Sequence, residues 1–222
     1  MPEVQRHGFT WEKDLIQNVY GATLEELNAI RYTSKMDLPS SLNKKDNVNL
    51  SIKCSCSPNA VCMADCLRIF DAVTSGQPYH MTVVHYNQDD ERQTKRVKRI
   101  TEVDLTNSGH CLFGTLSRNQ IEELDSCVKK VPQKRSPTPE EHATIYALRD
   151  KLQPQSKAIH LDIKCNSQQS RLQCSFNHFE DFLKENPDRI IAQSNTSEFR
   201  GGKIQEEVVS SRRTFKKKSP EV

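Results

Sequence analysis

Residues 48–56 carry the pattern that most restricts how this chain can fold. Val48, Leu50, Ile52 and Cys54 alternate with Asn49, Ser51 and Lys53. A side-chain period of two puts the apolar set on one face of a strand and the polar set on the other. The segment therefore reads as a half-buried strand, with Lys53 leaving its polar face. Residues 79–86 are a second β-rich run, and 97–105 a third, after a charged turn. Between the first two, Cys62, Cys66, Ile69 and Val73 share a helical stripe, so Ser57-Pro58 is read as opening a helix through residue 73. Strand, crossover helix and strand predict an α/β (α+β) chain: a central mixed sheet flanked by helices, followed by a C-terminal β-hairpin and helix region.

Cap signals place the helices. Thr10 precedes an amphipathic stretch over 11–20 that Gly21 stops. Thr23 and Glu26 form a capping box for a short helix with Leu24, Leu27 and Ile30 inward. Ser117 with Gln120, and Thr138-Pro139, open two more. Residues 129–139 are basic, hold three prolines and read as a linker. Residues 158–165 and 170–176 alternate on either side of a polar turn, which predicts a hairpin, and Asn177 is read as capping a helix to 184. The expected organisation is a core over 1–128, the linker, a hairpin and helix region over 140–193, and a disordered basic tail over 194–222.

Net charge is only +3, but the basic residues are clustered: Lys95, Arg96, Lys98 and Arg99, then Lys129, Lys130, Lys134 and Arg135, then a run near the C-terminus. Such runs suit a phosphate-bearing partner or a solvated surface. No stretch approaches the ~20 apolar residues of a membrane span. The polar start does not read as a secretion signal, so the expected setting is cytoplasmic or virus-encoded intracellular, without a membrane partner. Cys54, Cys56, Cys62 and Cys66 cluster, but C-x-C-x5-C-x3-C lacks the paired knuckles of a zinc ribbon. Cys62 and Cys66 are read instead as small buried core residues.

Three residues stand out chemically. Glu12 shares a helical face with Leu15, Ile16 and Val19. A carboxylate there must be paired, protonated or metal-bound. Asp37 ends a short element before Pro39, and Lys53 rises from the polar face of its strand. Two carboxylates can hold Mg²⁺, which prefers oxygen ligands and keeps several waters. A lysine beside a scissile phosphate offsets developing negative charge.

The segments GFTWEKDLIQNVYG, YTSKMDLP, NLSIKCS and VCMADCLRIFDAV together resemble the PD-(D/E)xK superfamily of restriction-endonuclease-like proteins of bacteria and large DNA viruses. The likeness spans about residues 8–86. It implies a restriction-endonuclease-like sheet and a Mg²⁺-dependent, type II restriction-like endonuclease acting on double-stranded DNA. Asp37 would be the metal aspartate, Glu12 the helix glutamate and second metal residue, and Lys53 the motif lysine. The acidic slot two residues before Lys53 holds Ser51, so Glu12 or Asp46 must supply the missing charge, or the site is inactive. Asp162-Ile163-Lys164 spells the motif better and is the alternative catalytic strand, an echo of Ser51-Ile52-Lys53. The hairpin's polar face, with Lys164, Arg171 and Gln173, is a candidate DNA-reading ribbon for the major groove. A palindromic target would call for a two-fold homodimer. The competing readings are an inactive DNA-binding protein and a non-enzymatic, zinc-stabilised interaction protein.

Overall fold

The computed structural model describes residues 6–29, 36–133, 135–166 and 169–209. The chain is a mixed α/β protein. Its main sheet runs β1 (Asn49–Ser55), β3 (Tyr79–Asp89), β4 (Thr94–Asp104) and β10 (Glu207–Val209), with β7 (Ile190–Ser194) also pairing β4. β1 and β3 are parallel, with Asn49 opposite Tyr79 and Lys53 opposite Val83. All pairings of β4 are antiparallel. A second sheet has the order β2 (Val61–Asp65), β6 (Gln169–Phe176), β5 (Ile159–Asn166). The two echoing segments thus lie in different sheets, one in a parallel pair and one in a hairpin.

The main sheet buries both faces. On one lie helix α1 (Arg6–Asp14), its continuation over Leu15–Val19, and the C-terminal segment; Trp11, Leu15, Leu50, Val84, Ile100 and Phe199 are buried together there. The continuation is a π-helical turn in which the Tyr20 N–H donates to the Leu15 carbonyl. Gly21, at φ 78°, then turns the chain away, a backbone region that glycine occupies without a Cβ penalty. A short helix α2 (Leu24–Ala29) follows; on the other face, α3 (Cys66–Thr74), α4 (Gly109–Phe113), α5 (Arg118–Lys129), α6 (Pro139–Leu152), α7 (Phe179–Glu185) and the second sheet enclose a larger core around Met81, Val83, Phe113 and Phe176. The capping boxes Ser117/Gln120 and Thr138/Glu141 are both formed. No helix among the described residues is long and apolar enough to cross a membrane.

Several local expectations are corrected. Residues 57–60 are a turn, and the chain then enters strand β2; the helix starts only at Cys66, where the Asp65 carboxylate accepts from the Arg68 N–H. Ala64, at φ 87°, lies at a register irregularity in the pairing with β6, which continues to Asp65 opposite Gln173. Cys62 is therefore exposed on a strand, while Cys66 is buried. Thr10 lies inside α1 rather than capping it. Helix α7 begins at Phe179 with His178, not Asn177, at its N-cap. Residues 194–209 are ordered: β8 (Glu198–Phe199) and β9 (Gly202–Lys203) form a hairpin, β10 joins the main sheet, and Phe199, Ile204 and Val208 are buried. The expectation for Ile30 lies outside the described residues, as do those for the side chains of Leu24 and Leu27.

Candidate active site

Among the described residues β1 is the outer strand of the main sheet, and its outer edge is where the candidate residues gather. Leu38 forms an isolated antiparallel bridge with Leu50, exchanging both backbone hydrogen bonds at 3.0 and 2.8 Å. That bridge sets Asp37 against β1. The Ile52 N–H donates to Asp37 Oδ2 at 2.7 Å, and Lys53 Nζ donates to the same oxygen at 2.8 Å. An edge-strand N–H is thereby satisfied by a carboxylate instead of by water. Oδ1 carries neither bond. The ion pair is half-buried, with the Lys53 and Asp37 side chains 17% and 28% exposed, so solvent screens it less than a surface pair.

Glu12 comes to the same place from α1. Its neighbours Trp11, Leu15 and Ile16 are buried, and the helix packs on β1. Burial, and then the negative charge of Asp37, push the Glu12 carboxyl up to about 7, while the Lys53 charge pulls it down. Desolvation and a like charge both disfavour the ionised form. Cys54, next along β1, feels the same three charges; its thiol is pushed up to about 12, chiefly by burial. Glu12, Asp37 and Lys53, separated by up to 41 positions in sequence, thus share one electrostatic site at the β1 edge.

The other sequence candidates lie differently. Ser51 is buried, 4% exposed, against the Tyr79 phenol, whose oxygen has no partner in hydrogen-bonding geometry. It therefore faces the interior and not an open cleft. Asp46 does not reach the site either. Both its oxygens accept from Arg200, at 2.6 and 2.7 Å, and Arg200 also donates at 2.7 Å to Glu102, which is wholly buried. Tyr20, Thr82 and His80 complete that network: the Tyr20 hydroxyl donates to Glu102 at 3.0 Å, and His80 Nδ1 lies 2.8 Å from the second Glu102 oxygen. Sequence reasoning missed this network, since its most buried acid lies in an unremarkable β-run and its cation in a segment read as disordered.

In the second sheet, Asp162 is engaged by its own neighbours, at 2.9 Å from His160 Nδ1 and 2.6 Å from the Ser175 hydroxyl that donates to it. Lys164 is half-buried opposite Arg171, which is exposed. Gln173 is only 6% exposed, on a strand flanked by β5 and β2, and its side-chain amide faces the Arg171 guanidinium. A ribbon that enters a groove needs both strands free, and β6 is the central strand of its sheet. Gln173 thus presents little surface to a partner in this arrangement, whereas Arg171 is exposed.

Among the described residues no group of three or more His, Cys, Asp or Glu side chains is placed to hold a metal ion. Glu12 and Asp37 form a two-carboxylate set, which suits a cation that keeps most of its water, such as Mg²⁺, and not zinc. Searches found no family model, no curated protein and no solved structure that matches this chain.

Proposed function

We propose that the protein is a Mg²⁺-dependent endonuclease of the restriction-endonuclease-like type, hydrolysing phosphodiester bonds in double-stranded DNA. The observation that carries this reading is the meeting of Glu12, Asp37 and Lys53 at one strand edge, where Lys53 pairs with Asp37 and where burial, then the Asp37 charge, raise the Glu12 pKa. Two acids sharing one site repel, and a divalent cation relieves that repulsion. Asp37, through Oδ1, and Glu12 would hold the ion. When bound, it would polarise the phosphate and lower the pKa of a water.

The protein's own residues divide the remaining work. The Ile52 N–H fixes the Asp37 carboxylate in orientation. Lys53, within 2.8 Å of Asp37, neutralises part of the acidic charge so that an anionic backbone can approach, and it is placed to offset charge developing on the phosphate. Glu12, whose carboxyl is pushed up to about 7 by burial and the Asp37 charge, would ionise on taking up the cation, so its part is to hold the ion and not to accept a proton. The parallel β1–β3 pair and the antiparallel β4 form the mixed sheet that supports these groups.

A second reading, an inactive DNA-binding protein, is favoured by Ser51 alone. The position two before Lys53 supplies no carboxylate and is buried. One experiment separates the two. Supercoiled plasmid is incubated with the protein in Mg²⁺, with EDTA as the control, alongside Asp37→Asn and Lys53→Met. The nuclease reading expects discrete cleavage products in Mg²⁺ only, lost in both variants. Duplex binding with no cleavage at any divalent cation would leave the second reading standing and the first refuted.

A further inference from the structure

Two residues beyond Lys53 along the β1–β3 pair, the same ends of the strands open into a cavity of about 290 Å³ lined by Cys56, Pro58, His85, Lys98, Arg99 and Glu180, among others. Its geometry is set by an irregularity. In a regular strand Lys98 and Arg99 would point to opposite faces. The β3–β4 register shifts between His85 and Tyr86, so that His85 opposes Arg99 while Tyr86 opposes Val97, leaving Lys98 as the additional residue. Bulges of this kind re-aim side chains, and here both cations line one pocket.

The pocket is built but incompletely satisfied. Arg99 Nη2 donates to the Glu180 carboxylate and lies 3.5 Å from His85 Nδ1, which fixes the guanidinium plane. Arg99 Nε is buried without a hydrogen-bond partner, and Nε2 of His85, a residue only 4% exposed, has none in good geometry, with the Pro58 backbone carbonyl beside the ring. Burial, then the Arg99 charge, drive the His85 imidazole down to about 4, so the ring is neutral at pH 7. Lys98 forms no ion pair with a described residue, and Glu180 offsets only one of the two positive charges. A cavity with one surplus cation, a fixed guanidinium and orphaned buried nitrogens matches an anion with several oxygens.

We propose that this pocket holds a phosphate group of the DNA backbone, as a second anchoring point beside the Asp37–Lys53 pair. The inference rests on the nuclease reading for the identity of the polynucleotide. The spacing agrees: two residues of strand rise about 6.6 Å, roughly two base steps at 3.4 Å of rise along one nucleic-acid strand. With the scissile group left at Lys53, the phosphate held at Arg99 and Lys98 would lie about two nucleotides along, setting the register of the backbone without reading sequence.

Cys56 supplies a local reporter. It is exposed and lines the pocket, while Cys62 is also exposed but does not line it. The full chain is treated with iodoacetamide in EDTA, with and without a short duplex, and both sites are followed by mass spectrometry. The proposal expects the duplex to slow labelling of Cys56 but not of Cys62, and Lys98→Glu to abolish that protection. It also expects Lys98→Glu to weaken duplex binding about 10-fold and to reduce the slope of log affinity against log salt by about 1. Arg99→Gln should act in the same direction. Because Lys98 is exposed, its variant remains informative if the Arg99 variant does not fold. Unchanged Cys56 protection and salt slope in Lys98→Glu would overturn the proposal. Protection by millimolar inorganic phosphate but not by duplex would also overturn it, assigning the pocket to a free anion. If the wild type shows duplex protection of Cys56 but no cleavage with Mg²⁺, the nuclease reading fails and the anchoring site stands. If cleavage proceeds without protection, the reverse holds.

Discussion

The Glu12 carboxyl is held near the middle of the neutral range by opposed influences, burial and Asp37 on one side and Lys53 on the other. The consequence for stability has a definite sign. Between the ordinary glutamate value of 4.5 and about 7, the folded protein keeps a proton that the unfolded chain releases. Stability must therefore fall as pH rises through that window and level off above it. Glu12→Gln should remove this slope and leave the protein more stable than wild type at pH 8, as read from urea midpoints at pH 5 and pH 8. An unaltered pH dependence in the variant would show that the carboxyl is not strained. Lys53→Met should shift the Glu12 titration upward, since the lysine charge pulls it down, and NMR of the labelled carboxyl would follow the shift. The residues of this site were legible in the sequence because each violates a local rule: an acid on an apolar helix face, an acid before a proline, a lysine on a half-buried strand. Ser51 broke the analogy in sequence, and its burial explains why no acid there could face an open cleft without moving the strand.

The elements differ in how plainly the sequence announced them. Residues 48–56 alternate strictly in sequence although both faces of β1 are covered, Leu50 and Ile52 on one side and Ser51 on the other, and the capping boxes at Ser117 and Thr138 are local hydrogen-bond patterns that leave a local signature. Strand β2 was misread because Cys62, Cys66, Ile69 and Val73 keep a helical interval across a strand–helix junction. The true N-cap, Asp65, falls inside that interval, and the pairing of β2 with β6 joins residues more than a hundred positions apart. No short window contains that information. The C-terminal segment is a similar case. Its apolar residues, Phe199, Ile204 and Val208, are too sparse for a periodic signal, yet they complete the core over α1. The segment is fixed by two features that can be tested. A Cβ on Gly202 would fall 2.2 Å from the Asn18 carbonyl, so Gly202→Ala should push β9 off the π-helical turn. Arg200→Met should leave Asp46 and the fully buried Glu102 without their cation, at a cost of about 3–5 kcal/mol. Hydrogen exchange should accelerate selectively over 195–209 and 15–20 in the glycine variant; uniform acceleration would argue against a local docking contact.

At the scale of the whole molecule, β4 joins everything. It pairs β3 from the first half of the chain and β7 and β10 from the second, and one core lies on each face of the sheet it occupies. The hairpin of β5 and β6, which the sequence suggested as a separate region beyond a linker at 129–139, instead pairs with β2 and shares a core with α3 and β3. Among the described residues, apolar side chains are buried on both sides of β4. The single tryptophan tests whether the two sides open together. Trp11 is fully buried in the smaller core, and its indole N–H donates to the Gln205 carbonyl at 2.7 Å, tying the first helix to the C-terminal segment. Its fluorescence reports that core alone, while far-UV circular dichroism reports helices that lie mostly on the other face. Cooperative unfolding requires the two signals to change with one midpoint and one slope in urea. Fluorescence loss at lower urea than the loss of helix would mean that the smaller core opens first. Since Glu12 enters the site from that same core, the carboxylate pair would then come apart before the rest of the fold, and Mg²⁺ should shift the fluorescence midpoint upward while leaving the dichroism midpoint in place.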